Sequence, residues 1–289
     1  MPFYMADEEG FFAEQDLEVE FRRLGRAQDI MTALARGDVD VATGMLTMTE
    51  LGLIASGARI RLVATLGEAQ PDACTFLGIV ARREHLESGA LSDPAQIRRM
   101  RFDYNSILPF GYFLDELLRP YGLTTADLDG VDLPPPVALE LLRRGDVTLD
   151  AEPYVTMHLE TGEAAIWRGL EELLPGYAWS VVMFGPSLLD EHPDVGERLA
   201  VALLKGIRQY RLGRTPRNVA LVEQATGLSP AQVADSCWPT MSEDGHADAA
   251  VFLGYQQWSV AEGLLDRVLE SDELVDHRFM GYASAALAQ

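Results

Sequence analysis

The chain has 289 residues, a formal net charge of −22 and a hydrophobic fraction of 48%. This length predicts two domains or one large α/β domain. The acidic balance disfavours nucleic acid and anionic membrane surfaces as partners, because both attract basic patches. No apolar run approaches the roughly 18 residues of a membrane span, and no basic region followed by an apolar core marks a signal peptide at the N-terminus.

The first part of the chain alternates between predicted helices and strands. A short acidic helix at 6–15 is followed by 17–24, where apolar and polar residues alternate as in a strand. The next helices are predicted at 27–37 and 47–57, and the next strands at 39–44, 60–67 and 73–83. Short connections between these elements predict an α/β fold with a largely parallel sheet.

The same alternation restarts after a polar segment at 84–97. Strands are predicted at 99–104, 131–136 and 146–153, and helices at 109–122, 137–145 and 154–162. The segment 179–193 predicts a strand that returns towards the first part of the chain. Everything after it is predicted as helices without a further strand, and we expect this helical tail to pack around the first part.

One turn occurs twice in the sequence. "LARGDVDVATG" at 34–44 and "LRRGDVTLDAEP" at 142–153 both lead from a helix through Arg-Gly-Asp-Val into a short strand. Chance similarity is one explanation, because such junctions are common. A true repeat predicts two similar α/β lobes, with chain crossings near 75–83 and 178–185 that form a hinge and a ligand cleft. The predicted limits are 1–78 and 183–289 for lobe I, and 79–182 for lobe II.

The cysteines and the lysine limit the possible chemistry. Cys74 and Cys237 form no metal-binding pattern. A disulfide and a pair of buried free thiols are both compatible with the sequence, which favours the thiols. Lys205 is the only lysine, so a Schiff-base mechanism depends on that residue.

Five segments together resemble a known family. They are "PFYMADEEGFFAEQDLEVEF", "GRAQDIMTALARGDVDVATG", "ASGARIRLVATLGE", "AEPY" and "SLLDEHPDVGERLAVALLKGIRQY", in this order along the chain. They resemble the NMT1/THI5-like solute-binding proteins, which are relatives of the nitrate, sulfonate, taurine and thiamine-precursor binding components of ABC importers. The resemblance implies a type II periplasmic-binding fold, a small-molecule ligand, a membrane permease as partner and an extracytoplasmic location.

The beginning of the chain departs from the family pattern. The family has a strand before the segment that resembles "PFYMA", whereas this sequence begins with that segment at Met1. Either upstream residues with a signal peptide are missing from the sequence, which is the favoured explanation, or the first lobe lacks a strand. A cytoplasmic location therefore stays open.

In such folds the polar groups of a ligand meet backbone N–H groups at helix N-termini. The first of three predicted places contains Arg26 and Gln28, and an arginine there suits a carboxylate, sulfonate or phosphate. Arg26 as a solvated surface charge is the alternative.

The second predicted place comprises Thr43, Gly44 and Met45, where the glycine allows close approach of a ligand. A plain strand-to-helix turn with Thr47 as N-cap is the alternative. The third place is Asn105 with Ser106, where an N-cap alone also explains the serine.

Aromatic and acidic candidates complete the predicted site. Tyr4, Phe110 and Tyr154 are candidate walls for a flat ligand, with Phe3 as a further aromatic nearby. Glu152 directly follows a buried strand, so its carboxylate either accepts hydrogen bonds from an amine-bearing ligand, pairs with an arginine, or caps a helix together with Pro153.

Catalytic signals are weak in this sequence. The five histidines are scattered in polar contexts, "EDGHAD" around His246 is better explained as a helix start than as a metal site, and no common catalytic or nucleotide-binding motif occurs. We therefore expect no catalytic residue, no cofactor and no metal. The predicted function is a solute-binding protein of an ABC importer for a pyrimidine, sulfonate or carboxylate. An enzyme of pyrimidine or aromatic-acid metabolism on the same fold and a cytoplasmic ligand sensor are the alternatives, and the oligomeric state stays open.

Overall fold

The computed structural model describes residues 1–22, 27–104, 109–132 and 145–288. The chain divides into two compact units. Unit 1 comprises Met1–Glu68, Ala178–Ala234 and Thr240–Gln289, and unit 2 comprises Ala69–Tyr177 and Asp235–Pro239. The chain thus enters unit 2 twice, once for a long segment and once for a short one. The lobe limits that the sequence predicts at 78 and 183 stay a prediction.

Strands and helices alternate through most of the described residues. The strands are β1 (Val41–Gly44), β2 (Arg61–Glu68), β3 (Leu77–Arg82), β4 (Arg101–Tyr104), β5 (Asp129–Asp132), β6 (Val147–Ala151), β7 (Ala164–Gly169) and β8 (Ala178–Phe184). The α-helices are α1 (Pro2–Glu8), α2 (Ala27–Arg36), α3 (Met48–Ala55), α4 (Arg83–Glu87), α5 (Pro94–Ile97), α6 (Phe110–Leu118), α7 (Tyr154–Glu160), α8 (Leu170–Leu173), α9 (Pro193–Arg211), α10 (Pro216–Thr226), α11 (Pro230–Asp235), α12 (Leu253–Ala261), α13 (Ser271–Leu274) and α14 (Arg278–Ala286). Short 3₁₀ turns lie at Ala13–Gln15, Ala90–Ser92, Arg119–Tyr121, Thr125–Asp127 and Ala249–Phe252, and a π-helical turn at Ser187–Glu191.

The sheet of unit 1 has the strand order β1-β8-β2. Both β1 and β2 pair with β8 and run antiparallel to it, so the prediction of a largely parallel sheet is wrong for this unit. The sequence identifies β1 and β2 correctly, but the returning strand β8 lies between them. Its residues 181–184 are all apolar and buried, as expected for a strand that is covered on both faces.

The N-terminal segment differs from its prediction in two places. Helix α1 begins at Pro2, where proline is tolerated in the first turn, and Gly10 with a φ of +74° follows its end. Residues 17–22 form no strand. Alternating polarity predicts one buried face, whereas a strand also needs a hydrogen-bonded neighbour. The carbonyl of Gln15, just before this segment, instead accepts a hydrogen bond from the Arg198 guanidinium at 2.7 Å.

The chain after β8 is helical in unit 1, as predicted, and adds only isolated bridges to the sheet. Helix α9 is the longest of the described helices, and it packs against α1 and α14. A Cβ on Gly206 of α9 would lie 2.3 Å from the Pro2 carbonyl oxygen, so only glycine allows this approach of the two helix backbones. No helix of the described residues has the length and apolar character needed to cross a membrane.

The sheet of unit 2 is mixed, with the order β5-β4-β6-β3-β7. Strand β4 is parallel to β5 and β6, whereas β3 runs antiparallel to both β6 and β7. Four of these strands, β4, β5, β6 and β7, therefore have their carboxyl ends at the same edge. Strand β7 is missing from the sequence-based prediction, which assigns no element between the helix at 154–162 and the strand that begins at 179.

Cys74 and Cys237 form a disulfide in unit 2, with their Cα atoms 5.5 Å apart. The expectation of two free thiols is wrong. The two cysteines are 163 residues apart in the sequence, and they meet because the short segment 235–239 belongs to unit 2 while the rest of the helical tail belongs to unit 1. Sequence spacing alone carries no information about such a contact.

Asp103 on β4 is a buried carboxylate that the prediction did not single out. It is 1% exposed, and neither of its oxygens has a hydrogen-bond partner within the described part of the chain. The Nε atom of Arg101 lies 3.5 Å from its Oδ1 atom. Burial raises the pKa of the Asp103 carboxyl above its usual value, although Arg101 partly offsets the effect.

We expect Asp103→Asn to raise the free energy of unfolding at neutral pH by about 1 kcal/mol, because it removes a buried charge without changing the shape. A raised pKa means that the folded state holds the proton more tightly than the unfolded state. The gain should therefore shrink as the pH falls through the folded pKa of Asp103. Urea unfolding of both proteins between pH 7 and pH 4 measures this difference, and a loss of stability at pH 7 would contradict it.

Candidate ligand-binding site

The last two residues of β1 and the residue after it are three of the predicted site residues. Thr43 is exposed, Met45 is half-buried, and a Cβ on Gly44 would meet no atom within 4 Å. The backbone here is therefore accessible to a ligand within unit 1. Thr43–Met45 stay predicted contacts.

The N-terminus of α3, directly after this loop, is satisfied by its own side chains. The Thr47 hydroxyl oxygen accepts a hydrogen bond from the Thr49 N–H at 3.1 Å, and the Glu50 carboxylate accepts one from the Thr47 N–H at 2.7 Å. This is a capping box, and both Thr47 and Glu50 are buried. The interpretation of Thr47 as an N-cap is thus confirmed, and ligand contacts at 43–45 stay a prediction.

Glu152 lies where β6 passes into α7, after which the chain continues through a cis peptide bond to Pro153. Its Oε1 atom accepts hydrogen bonds from the Thr156 hydroxyl at 2.8 Å and from the Cys237 N–H at 3.1 Å, and its Oε2 atom accepts one from the Thr156 N–H at 3.1 Å. The carboxylate thus caps α7, which is one of the alternatives from the sequence. Two carboxylate oxygens accept about four hydrogen bonds, so capacity remains for a ligand group.

Glu171 is a second carboxylate at the same edge of the unit 2 sheet, directly after β7. It is 8% exposed and accepts a hydrogen bond from the Thr75 hydroxyl. A Cβ on Gly169 would lie 2.0 Å from the Glu171 Oε1 atom, so the glycine makes room for the carboxylate. Sequence reasoning missed Glu171, because "LEELL" has the pattern of an ordinary helix surface.

The predicted aromatic walls have different environments. Phe110 is 5% exposed and packs on Phe113 in the core of unit 2, with ring centroids 6.1 Å apart. This burial leaves Phe110 little surface for a ligand. Tyr154 is half-buried as the first residue of α7, next to the capping carboxylate of Glu152, so it remains the better candidate.

Tyr4 lies on α1 in unit 1, with Glu8 of the same helix and Gln224 of α10 nearby. Partial burial and the neighbouring Glu8 carboxylate raise the pKa of Tyr4. Gln224 donates a hydrogen bond to Glu8 at 3.1 Å and so links α10 to α1. A ligand contact by the Tyr4 ring stays a prediction.

Three further predicted site residues, Arg26, Asn105 and Ser106, lie outside the described residues. Gln28 is exposed near the start of α2, and its carbonyl accepts a hydrogen bond from the Thr32 hydroxyl at 2.7 Å. Its side-chain amide faces solvent and is accessible to a ligand.

Trp179 is an aromatic candidate that the sequence analysis treated only as the start of a strand. It is half-buried and is the second residue of β8, at the edge of the sheet where β1 and β2 end. Its indole covers Gly67, since a Cβ at that position would lie 2.0 Å from the Trp179 Cζ2 atom. Trp179 lies on β8 and Gly67 on the neighbouring strand β2. Their contact is visible only once the register of these two strands is known.

Comparison with solved structures identifies the fold. A ligand-binding component of an ABC-type import system from Staphylococcus aureus, with zinc bound, matches with a TM-score of 0.76 at 14% identity over 98% of this chain and 94% of that chain. The periplasmic aliphatic sulphonate binding protein SsuA from Escherichia coli matches with a TM-score of 0.76 at 15% identity over 96% and 88%. The desulfurization enzyme DSZB matches with a TM-score of 0.69 at 16% identity over 99% and 96%.

These likenesses confirm the predicted fold class, an α/β fold of the type II periplasmic-binding-protein kind. Among curated proteins no match to the chain is found. The family model described as NMT1/THI5 like matches residues 1–210, which include both sheets and the first long helix of the tail. The chain therefore belongs to the NMT1/THI5-like family.

Proposed function

We propose that this protein is a solute-binding protein of an ABC importer, which binds one small organic ligand and delivers it to a membrane permease. Family membership and the likeness to binding components such as SsuA support this proposal. The observation that carries it is the Glu152 turn after β6 in unit 2. Its half-buried carboxylate accepts three hydrogen bonds and keeps capacity for a ligand group.

An extracytoplasmic location is part of the proposal. The disulfide between Cys74 and Cys237 supports it, because disulfides persist in oxidising compartments and are rare in the cytosol. The names of the related binding proteins agree with this location, since SsuA is described as periplasmic.

The ligand class follows from the charge at the unit 2 edge. The carboxylates of Glu152 and Glu171 both follow strands that end at this edge, and two carboxylates would repel a bare anion. We therefore favour an amine-bearing planar ligand, such as an aminopyrimidine related to thiamine precursors, with Tyr154 as an aromatic contact. A sulfonate or carboxylate held by Arg26 and Gln28 is the second choice.

An enzyme on the same fold is the other candidate function, favoured by the likeness to DSZB. The His158 Nε2 atom lies 2.8 Å from the Asp150 Oδ2 atom, and a carboxylate that orients a histidine is a common general-base arrangement. His158 is 1% exposed, however, and lies on α7, which packs against β6. This burial separates the imidazole from a substrate and favours the binding protein.

The proposal predicts that freshly purified protein carries one small molecule, detected by native mass spectrometry and identified after denaturation. We expect Glu152→Gln to weaken binding of an added aminopyrimidine by about 10- to 100-fold, the value of a charge-assisted hydrogen bond. Glu160→Gln is the matched control and should bind like wild type, because Glu160 is exposed at the far end of α7, the helix that Glu152 caps. Calorimetric titration measures both.

Three results would contradict parts of this proposal. Equal affinity of Glu152→Gln and wild type for every amine-bearing ligand would remove Glu152 from the site. Stronger binding of a sulfonate than of any amine would exclude the favoured ligand class. A candidate ligand that is returned chemically changed would exclude a pure binding protein and support the enzyme.

A further inference from the structure

The two cysteines of the disulfide differ in their exposure to solvent. Cys74 is exposed, whereas Cys237 is 9% exposed. Thiol–disulfide exchange begins with attack of a thiolate on one sulfur along the S–S axis, so access decides which sulfur is attacked. A dissolved thiol therefore reaches the Cys74 Sγ atom more readily than the Cys237 Sγ atom.

The disulfide also determines where a specific segment lies. Residues 235–239 belong to unit 2, whereas the chain on both sides of them belongs to unit 1. The segment's attachments to unit 2 include the disulfide and the hydrogen bond from the Cys237 N–H to Glu152. We call residues 235–239 the latch segment.

Both carboxylates at the unit 2 edge are linked to this region. Glu152 accepts the Cys237 N–H at 3.1 Å, and Glu171 accepts the hydroxyl of Thr75, the residue directly after Cys74. Release of the disulfide therefore changes the surroundings of both carboxylates at once. Glu152 loses the Cys237 N–H of the latch segment as a donor. Glu171 keeps the Thr75 hydroxyl, but Thr75 no longer follows a cross-linked residue.

We propose that Cys74 is a thiol-exchange site and that the disulfide is a redox-controlled latch for residues 235–239. The reactant is a low-molecular-weight thiol or a dithiol reductant. This proposal goes beyond the proposed transport function and stands independently of the ligand.

The reaction balances with two thiols. The first thiolate attacks the Cys74 Sγ atom, forms a mixed disulfide with it, and displaces Cys237 as a thiolate that then takes a proton. The second thiol attacks the mixed disulfide and releases Cys74 as a thiol. The protein gains two hydrogens in total, and the two reactant thiols are oxidised to one disulfide.

The local charge favours opening after the first step. The displaced Cys237 side chain belongs to the residue whose N–H contacts the Glu152 carboxylate, and a Cys237 thiolate that has not yet taken its proton is repelled by that negative charge. The latch segment has then lost its cross-link to unit 2, and the loss of a cross-link lowers the free-energy cost of local opening.

The test treats the full-length oxidised protein with glutathione under native conditions, followed by acid quenching, alkylation and peptide mass spectrometry. We expect early mixed disulfides on Cys74 to exceed those on Cys237 by about tenfold, because access controls the attack. An equal or reversed distribution would overturn the assignment of Cys74. So would a bond that reacts only after the chain is unfolded with urea.

Hydrogen exchange tests the latch itself. After full reduction with dithiothreitol, the backbone amides of 235–238 should exchange about tenfold faster, while strand β8 keeps its protection. The double variant Cys74→Ser/Cys237→Ser is the matched control, and it should show the fast exchange with and without reductant. Unchanged exchange at 235–238, or a simultaneous loss of protection in β8, would rule out a local latch.

Discussion

Replacing both Cys74 and Cys237 with serine should lower the free energy of unfolding by about 4 kcal/mol under non-reducing conditions. The cross-link joins residues that are 163 positions apart, so it removes a large loop from the unfolded ensemble. For a loop of this length the chain-entropy model gives about 5 kcal/mol, and measured values are usually somewhat smaller. The double variant is preferable to either single variant because it leaves no free thiol.

Urea unfolding of wild type and double variant, with and without reductant, measures this effect. Reductant should shift the wild-type midpoint to that of the variant and leave the variant unchanged, since serine cannot exchange thiols. The shift should be seen with a probe in unit 2, where both cysteines lie. Equal midpoints of oxidised wild type and variant would contradict the stabilising role of the cross-link.

The second large effect is expected at Gly206, where α9 crosses the N-terminal helix α1. A methyl group there would lie 2.3 Å from the Pro2 carbonyl oxygen and 3.2 Å from the Ala6 Cβ atom. Backbone atoms cannot rotate away, so α1 has to shift. We expect Gly206→Ala to lower the free energy of unfolding by about 3 kcal/mol.

Gly281→Ala is the matched control for this substitution. Gly281 lies inside α14, and a Cβ there would meet no atom within 4 Å. The same change should therefore raise stability by about 1 kcal/mol, because alanine favours the helix. Opposite signs of the two effects in thermal unfolding would support close packing of α9 on α1. Stabilisation by both variants would show that α1 adapts easily.

The sequence predicts local elements well and their neighbours poorly. β1 and β2 are found because short apolar runs and glycine-ended helices define them. That β8 separates them depends on a return of the chain more than a hundred residues later, which no local pattern encodes. Residues 17–22 show the reverse case, since their alternation predicts a strand although no neighbouring strand pairs with them.

The candidate site shows the same limit. Glu152 is conspicuous in the sequence because a carboxylate after a buried strand needs a partner, and capping by such residues is a local event that sequence reasoning anticipates. Its contact with Cys237 is nonlocal and was not foreseen. Glu171 was missed because its burial depends on two residues that no local pattern connects to it. Thr75 is distant in the sequence, and Gly169 makes room for the carboxylate by lacking a side chain.

The latch segment also has a consequence for synthesis. The chain moves from unit 1 to unit 2 and back twice, so a fragment cut at 69–177 contains Cys74 without its partner. The two cysteines are 163 residues apart in the chain, so Cys74 has no partner in its own chain until nearly all of unit 2 and the beginning of the helical tail have reached an oxidising compartment. The isolated fragment 69–177 should therefore form Cys74-linked dimers under oxidising conditions, whereas the full-length chain forms the internal cross-link.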